Sequence, residues 1–199
     1  MIITVEGIDG AGKNTLVRAL QKKTSAKALV FPRYGESLHA QLAADALYGR
    51  MGDLTDSAYA MATLFALDRH GALETLNRFV DSPDLLILDR YVASNAAYSF
   101  ARTGEESIID WIYDLEFGRL GLPKPDLQVL LDTPPDTASE RAITRAAADN
   151  SRERDRYERD SGLQQRTYAA YRRLAAENWA GHWLITSDVA DILEHITLP

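Results

Sequence analysis

Gly7, Gly12 and Lys13 fall in the string EGIDGAGKNT, residues 6–15, at the spacing G-x4-G-K. Glycines there let the backbone turn tightly, so that its N–H groups and the positive end of a following helix can face phosphate oxygens. Gly7, Gly10, Ala11, Gly12, Lys13, Asn14 and Thr15 form the candidate triphosphate cradle, and Lys13 adds a mobile cation for the outer phosphates. The usual loop has Ser or Thr directly after the lysine, where the hydroxyl holds Mg²⁺. Asn14 stands there instead, and Thr15 is displaced by about 100° around the helix. An amide oxygen is a weaker ligand than a carboxylate, so the metal is expected to lean on acids elsewhere. Asp9 lies inside the loop, and Asp89 closes an apolar run. Either could bind directly or through water.

A second group of side chains suits another anion. In LDRYVASNAAYS, residues 88–99, Arg90 follows the apolar run. If 91–99 is helical, Tyr91, Asn95 and Tyr98 share one stripe, presenting an amide and a phenol. Phe65 and Arg69 lie one helical turn apart, with Asp68 alongside. An aromatic face can stack on a base, and a guanidinium can donate to a base carbonyl. Arg33 and Tyr34 end FPRYG, residues 31–35. Each group has a plain structural reading, as core aromatics or surface ion pairs. Their convergence on one edge favours a binding site.

Residues 141–160, RAITRAAADNSRERDRYERD, interleave arginines with acids. They read either as a solvated helix laced with ion pairs or as a lid that closes arginines over phosphates. In phosphoryl transfer, positioned cations stabilise the spread negative charge. Tyr157 and Glu158 end the stretch, and Glu158 is a further metal candidate.

The elements that must position these groups alternate. Strands are expected at 2–6, 27–31, 84–89, 127–132 and 182–186. Helices are expected from Lys13 to about Lys23, over 57–79, near 91–102, 105–118 and 135–147, and after Asp160. Apolar runs such as DLLILD and LQVLLD read as strands buried on both faces. Alternation of this kind predicts an α/β fold, a parallel sheet wrapped on both faces, with ligands at the carboxyl ends of the strands.

The chain has 199 residues, a net charge of −7 and no cysteine. The acidic balance weighs against nucleic-acid binding, and the missing thiols exclude disulfides and a cysteine nucleophile. No apolar stretch reaches the length of a membrane helix, and no signal peptide is visible, so a cytoplasmic protein is expected.

The segments EGIDGAGK, FPRYG, YAMATLFALDR, ILDRYVASNAAYS, EFGRLGLPKPD and YERD together resemble thymidylate kinases, particularly the actinobacterial members. The resemblance runs nearly end to end, and residues 59–69 and 86–99 are its most specific parts. It implies a single P-loop kinase domain over 1–199: a five-stranded parallel sheet flanked by helices, with a mobile lid over about 141–158. It implies Mg²⁺-dependent transfer of the ATP γ-phosphate to dTMP, giving dTDP for dTTP biosynthesis, and a homodimer. Carried over by position, Lys13 and the loop backbone bind ATP. Asp9 sits near the dTMP sugar and phosphate and helps hold Mg²⁺. Tyr34 and Arg90 hold the dTMP phosphate, and Phe65 stacks on thymine. Arg69 and Asn95 hydrogen-bond the base. Tyr98 blocks a 2′-hydroxyl. Tyr157 and Glu158 close the site, with Glu158 near the metal. The acceptor is already an anion, so no strong general base is implied. Some members carry an arginine in the phosphate loop, at the place of Gly10 or Asn14; here neither is arginine. The charge-stabilising arginine is therefore expected from the lid, with Arg145 and Arg152 the first choices.

Three other readings compete. A different nucleotide or nucleoside kinase is the nearest; Arg90 favours a monophosphate acceptor and Tyr98 a deoxyribose. A GTPase would need N-K-x-D, which is absent. A non-catalytic ATP-binding module would not need the base-reading set.

Overall fold

A computed structural model describes residues 1–148 and 156–196. Five parallel strands form one sheet, in the order β2-β3-β1-β4-β5. The strands are β1 (Ile2–Glu6), β2 (Lys27–Val30), β3 (Leu86–Asp89), β4 (Leu127–Leu130) and β5 (Trp183–Ile185). Every residue of β1, β3 and β4 is buried. Layers of helix on both faces account for that, and for the unbroken apolar runs. β2 and β5 are the edges and are partly exposed. The register sets Val5 beside Asp89 and Glu6 beside Leu130. The carboxyl ends of the three central strands are therefore level. β1 lies where the strand order reverses, the usual place for a ligand crevice.

The helices are α1 (Lys13–Thr24), α2 (Leu38–Leu47), α3 (Ala58–His70), α4 (Leu73–Asn77), α5 (Val92–Thr103), α6 (Ser107–Tyr113), α7 (Pro135–Ala148), α8 (Arg156–Arg159), α9 (Ser161–Ala176) and α10 (Val189–His195). A 3-10 turn spans Leu54–Asp56, and a π-helical turn spans Asp114–Arg119. Side-chain caps start several of them. Ser57 accepts from the Ala60 N–H at 3.1 Å, and Asp160 from the Leu163 N–H at 2.8 Å.

The expected strands and most helices are present within a few residues. The expected helix over 57–79 is instead two helices that part at Gly71. A Cβ at Gly71 would lie 2.7 Å from Arg33 Nη2. That guanidinium is held by Asp68, through Nε at 2.9 Å, and the Arg33 backbone N–H donates to the same carboxylate at 2.9 Å. A side chain at Gly71 would collide with the loop after β2. α2 and α10 were not foreseen.

The main core runs from Ile2, Ile3 and Val5 through Leu86, Ile87 and Leu88 to Leu130 and Tyr171. A smaller cluster of Ala43, Ala46, Leu47 and Met61 joins α2 to α3, with Phe65 and Tyr157 packed against it.

Candidate active site

The loop from Gly7 to Gly12 leaves the central strand and turns into α1. Gly10 (φ +83°) lies so close to α7 that a Cβ there would sit 2.1 Å from the Ala138 carbonyl oxygen. No side chain fits that place in this arrangement. Thr133 Oγ1 donates to the Ala11 carbonyl at 3.0 Å, and Arg141 Nη1 does so at 3.4 Å. Lys13 is buried, and its Nζ donates to the carbonyls of Gly7 at 3.0 Å and Ile8 at 2.9 Å. Burial, together with the nearby Arg90 charge, pushes the Lys13 ammonium down to about 8. Asn14 and Thr15 are exposed on the first turn of α1.

Arg90 follows β3 in a left-handed conformation, φ 68°. Its Nη2 reaches Asp9 Oδ1 at 2.6 Å, and its Nη1 donates to Tyr171 Oη at 3.1 Å and Ser94 Oγ at 3.2 Å. Asp9 Oδ2 accepts from Tyr98 Oη at 2.8 Å and Gln164 Nε2 at 3.2 Å. Burial alone would raise the Asp9 carboxyl; the Arg90 and Lys13 charges outweigh it and hold it well below the usual carboxylate range. Beneath Arg90, the fully buried Glu6 accepts from Ser94 Oγ at 2.6 Å, the Tyr91 N–H at 2.8 Å and Tyr171 Oη at 3.1 Å. Burial raises the Glu6 carboxyl. These bonds tie the ends of β1 and β3 to α5 and α9.

A second network also reaches α5. Arg69 donates to Glu116 through Nε at 2.5 Å and Nη2 at 2.7 Å, with both side chains buried. Asn95 Nδ2 donates to the same carboxylate at 2.8 Å and to the Ala62 carbonyl at 3.0 Å. Asn95 and Tyr98 lie on α5, so one helix serves both networks. Tyr98 also stacks on Tyr157, with ring centroids 6.1 Å apart and planes 12° apart. Tyr157 leads on to Phe65 through the smaller apolar cluster.

Most residues singled out from the sequence thus converge. Lys13, Asp9, Arg90 and Tyr98 form one group and Arg69 and Asn95 another; Tyr157 stacks on Tyr98, and Phe65 packs with Tyr157 against the smaller apolar cluster. Tyr91 departs from the expected stripe. It precedes α5 in extended backbone, buries its ring in the core and donates to the Pro123 carbonyl at 3.0 Å. Asp68 pairs with Arg33 rather than with its neighbour Arg69. Tyr34 is 43% exposed on the loop after β2. Arg145 lies on α7 and Glu158 on α8. Their side chains, and the whole of Arg152, lie outside the described residues. Glu6, Glu116, Gln164 and Tyr171 were not foreseen.

The arrangement is suited to Mg²⁺ shared with phosphates. Such an ion takes one or two carboxylates and keeps several waters, so no closed cage is required. Among the described residues no three metal-ligating side chains come together. Asp89 is 7% exposed, level with the loop, and interacts electrostatically with Lys13 and Arg90. Its carboxylate accepts no hydrogen bond from a described residue, whereas both oxygens of Asp9 are engaged.

A glycine-rich loop, a buried arginine beside it and a second buried polar network on α5 are the kind of arrangement that suits anionic ligands. A model of the thymidylate kinase family matches residues 5–196. The chain belongs to the thymidylate kinase family. It is 53% identical to the thymidylate kinase of Mycobacterium tuberculosis, over 96% of this chain and 93% of that one. It is 33% identical to that of Rhodopseudomonas palustris, over 88% and 76%. Among solved structures it is similar to the thymidylate kinase of Candida albicans, with a TM-score of 0.73 at 24% identity, covering 98% and 90% of the two chains. A deoxyadenosine kinase from M. mycoides has a TM-score of 0.70 at 16% identity, covering 98% and 96%. At those identities the likeness speaks for the fold. Family membership makes the activity phosphoryl transfer from ATP to dTMP.

Proposed function

We propose that this chain performs that transfer with the residues assembled around Asp9 and Arg90. The observation that carries the reading is the Arg90–Asp9–Tyr98 network between the phosphate loop and the Arg69–Glu116–Asn95 group. The N–H groups of Gly7 to Thr15 and the Lys13 ammonium hold the ATP phosphates. Lys13 exchanges its carbonyl contacts for phosphate oxygens. Arg90, with Tyr34, holds the dTMP phosphate in line with the γ-phosphate. Asp9 fixes the Arg90 fork and faces the sugar. Phe65 covers the thymine ring, Arg69 and Asn95 read its edge, and Tyr98 fills the space of a 2′-hydroxyl. Tyr157 closes the rim.

When bound, Mg²⁺ draws charge off the transferring phosphates. Asp89, Asp9 and Glu158 are the carboxylates that would hold it, directly or through water. The lid, about 141–158, brings Arg145 and Arg152 over the ATP phosphates. With positioning and charge supplied in this way, the phosphate acceptor needs no general base.

We also propose one catalytic domain over 1–199, paired with a second copy and acting in the cytoplasm, where its nucleotide substrates are made. Leu38, Tyr48 and Tyr59 are 64, 41 and 37% exposed, and Tyr59 packs edge-on against Trp111. These apolar groups suit a helix-on-helix contact, which sedimentation would detect. The acceptor is tested by coupled ADP release with Mg²⁺-ATP and dTMP, dUMP, UMP, dCMP, AMP, GMP and thymidine in parallel. The fastest turnover is expected with dTMP. A faster rate with another acceptor overturns the base-pocket roles.

A further inference from the structure

Glu116 is buried completely, on the π-helical turn between α6 and β4. It touches neither the phosphate loop nor Arg90. Its carboxylate instead collects three hydrogen bonds, two from Arg69 and one from Asn95. A fully buried carboxylate that takes these bonds alone among the described residues constrains both donors.

Consider Asn95. Its NH2 group has two hydrogens, one given to Glu116 and the other to the Ala62 carbonyl. The flipped amide would set its carbonyl oxygen against a carboxylate and a carbonyl. Three acceptors would face one another, with the amide hydrogens stranded. The amide is therefore locked, and Oδ1 is the atom left for a ligand. No described residue donates to it. Arg69 is locked likewise. Nε and one hydrogen of Nη2 go to Glu116, which leaves Nη1 as a donor.

We infer that Glu116 is a positioning residue that presents an acceptor from Asn95 beside a donor from Arg69, and so selects a pyrimidine imide over an aminopyrimidine. A thymine edge offers N3–H next to a carbonyl at position 4, which matches. A cytosine edge offers a bare N3 next to an amino group and opposes both. Glu116 has to be charged to hold two cationic N–H groups, and rigid to keep the amide from turning. Burial and bidentate pairing supply the rigidity. The inference rests on the base-pocket roles of Asn95 and Arg69 proposed above.

The test compares kcat/KM for dTMP and dCMP in Glu116→Gln, Glu116→Asp and Asn95→Ala. Glu116→Gln is expected to raise the KM for dTMP and to contract the dTMP-to-dCMP ratio by about tenfold or more, the worth of a charge-assisted hydrogen bond. KM for ATP stays within about twofold, since Glu116 makes no contact with the phosphate loop. Glu116→Asp keeps the charge that buried Arg69 requires but withdraws the oxygens by one methylene. It folds where the glutamine variant does not, and it still loses discrimination. An unchanged ratio in either folded Glu116 variant, with the ratio collapsed in Asn95→Ala, overturns the role of Glu116 and leaves the pocket standing. An unchanged ratio in Asn95→Ala overturns the pocket reading itself. The wild type gives an independent readout. Both Asn95 side-chain N–H signals should be protected from hydrogen exchange before dTMP is added; rapid exchange rules out the clamp.

Discussion

Arg90 Nη2 lies 2.6 Å from Asp9 Oδ1, and this one contact joins the loop after β1 to the residue after β3. The two loops belong to neighbouring parallel strands, and no backbone hydrogen bond is shared by the two residues themselves. The ion pair holds the two loops together. It is only partly screened, since the Arg90 and Asp9 side chains are 14% and 29% exposed.

Arg90→Ala should therefore weaken dTMP selectively. KM for dTMP is expected to rise about 100-fold, the worth of two charge-assisted hydrogen bonds, while KM for ATP moves less than about threefold. Equilibrium titration with each nucleotide separates the two. Equal losses would remove Arg90 from the acceptor site.

Lys13 sets an alkaline limit. With its ammonium lowered to about 8, and in the ATP role proposed for it, the free enzyme should lose the charge that meets ATP above that pH. The kcat/KM for ATP should fall beyond pH 8 and approach about tenfold per pH unit. ATP binding near pH 8 should take up a proton, seen by calorimetry in buffers of different ionisation enthalpy. Stability responds with the opposite sign. Between about 8 and the ordinary 10.5, the unfolded chain keeps the Lys13 proton and the folded chain does not. The unfolded state then binds more protons, so this residue's share of stability rises with pH. Wild type should gain in melting temperature on Lys13→Met across that range.

Much of this was legible beforehand, for a physical reason. Asp9 and Lys13 lie on the loop and helix start that follow β1, and Arg90 directly follows β3, so chain order alone fixes their place in a parallel α/β sheet. Asn95 and Tyr98 share a helical face, which spacing alone reveals. Glu6, Glu116, Gln164 and Tyr171 have no such local mark. Glu6 reads as the last residue of a strand, and Glu116 sits in DLEFGR among residues that look solvated. A π-helical turn carries Glu116 inward, and only tertiary packing brings Arg69 to it. Gly71 is similar. A lone glycine in a helical pattern is tolerated, and the Arg33 guanidinium that leaves no room for a side chain there comes from 38 positions earlier.

Tyr98→Ala should admit ribonucleotides. The kcat/KM ratio of dUMP to UMP is expected to fall about tenfold, since the ring that fills the 2′ position is gone and no compensating contact is lost from UMP. Tyr98→Phe keeps the ring and should keep the ratio. A ratio unmoved by the alanine would take this role from Tyr98.

Asp89→Asn should raise the Mg²⁺ concentration for half-maximal rate about tenfold or more, as expected for the loss of a charged ligand. The KM for dTMP should move little. If Asp9→Asn shifts the Mg²⁺ requirement and Asp89→Asn does not, the first metal carboxylate is Asp9.

Gly10→Ala should be destabilising. The new Cβ meets the Ala138 carbonyl oxygen at 2.1 Å and forces a side chain onto φ +83°. Together these cost about 2–4 kcal/mol, measurable by urea unfolding. Gly12→Ala shares the positive φ but meets only an arginine tip at 3.9 Å, so it should cost about 1–2 kcal/mol. An equal loss in both would mean that α7 yields freely.

Helix α5 carries Asn95 and Tyr98 on one rigid rod, three residues and so about 4.5 Å apart along its axis. On the roles proposed here it works as a ruler between base edge and sugar. A purine nucleotide sets its reading edge farther from its ribose than a pyrimidine does. It can satisfy one end of the ruler or the other, but not both together. Size exclusion then needs no wall in the pocket. It follows from the pitch of a helix.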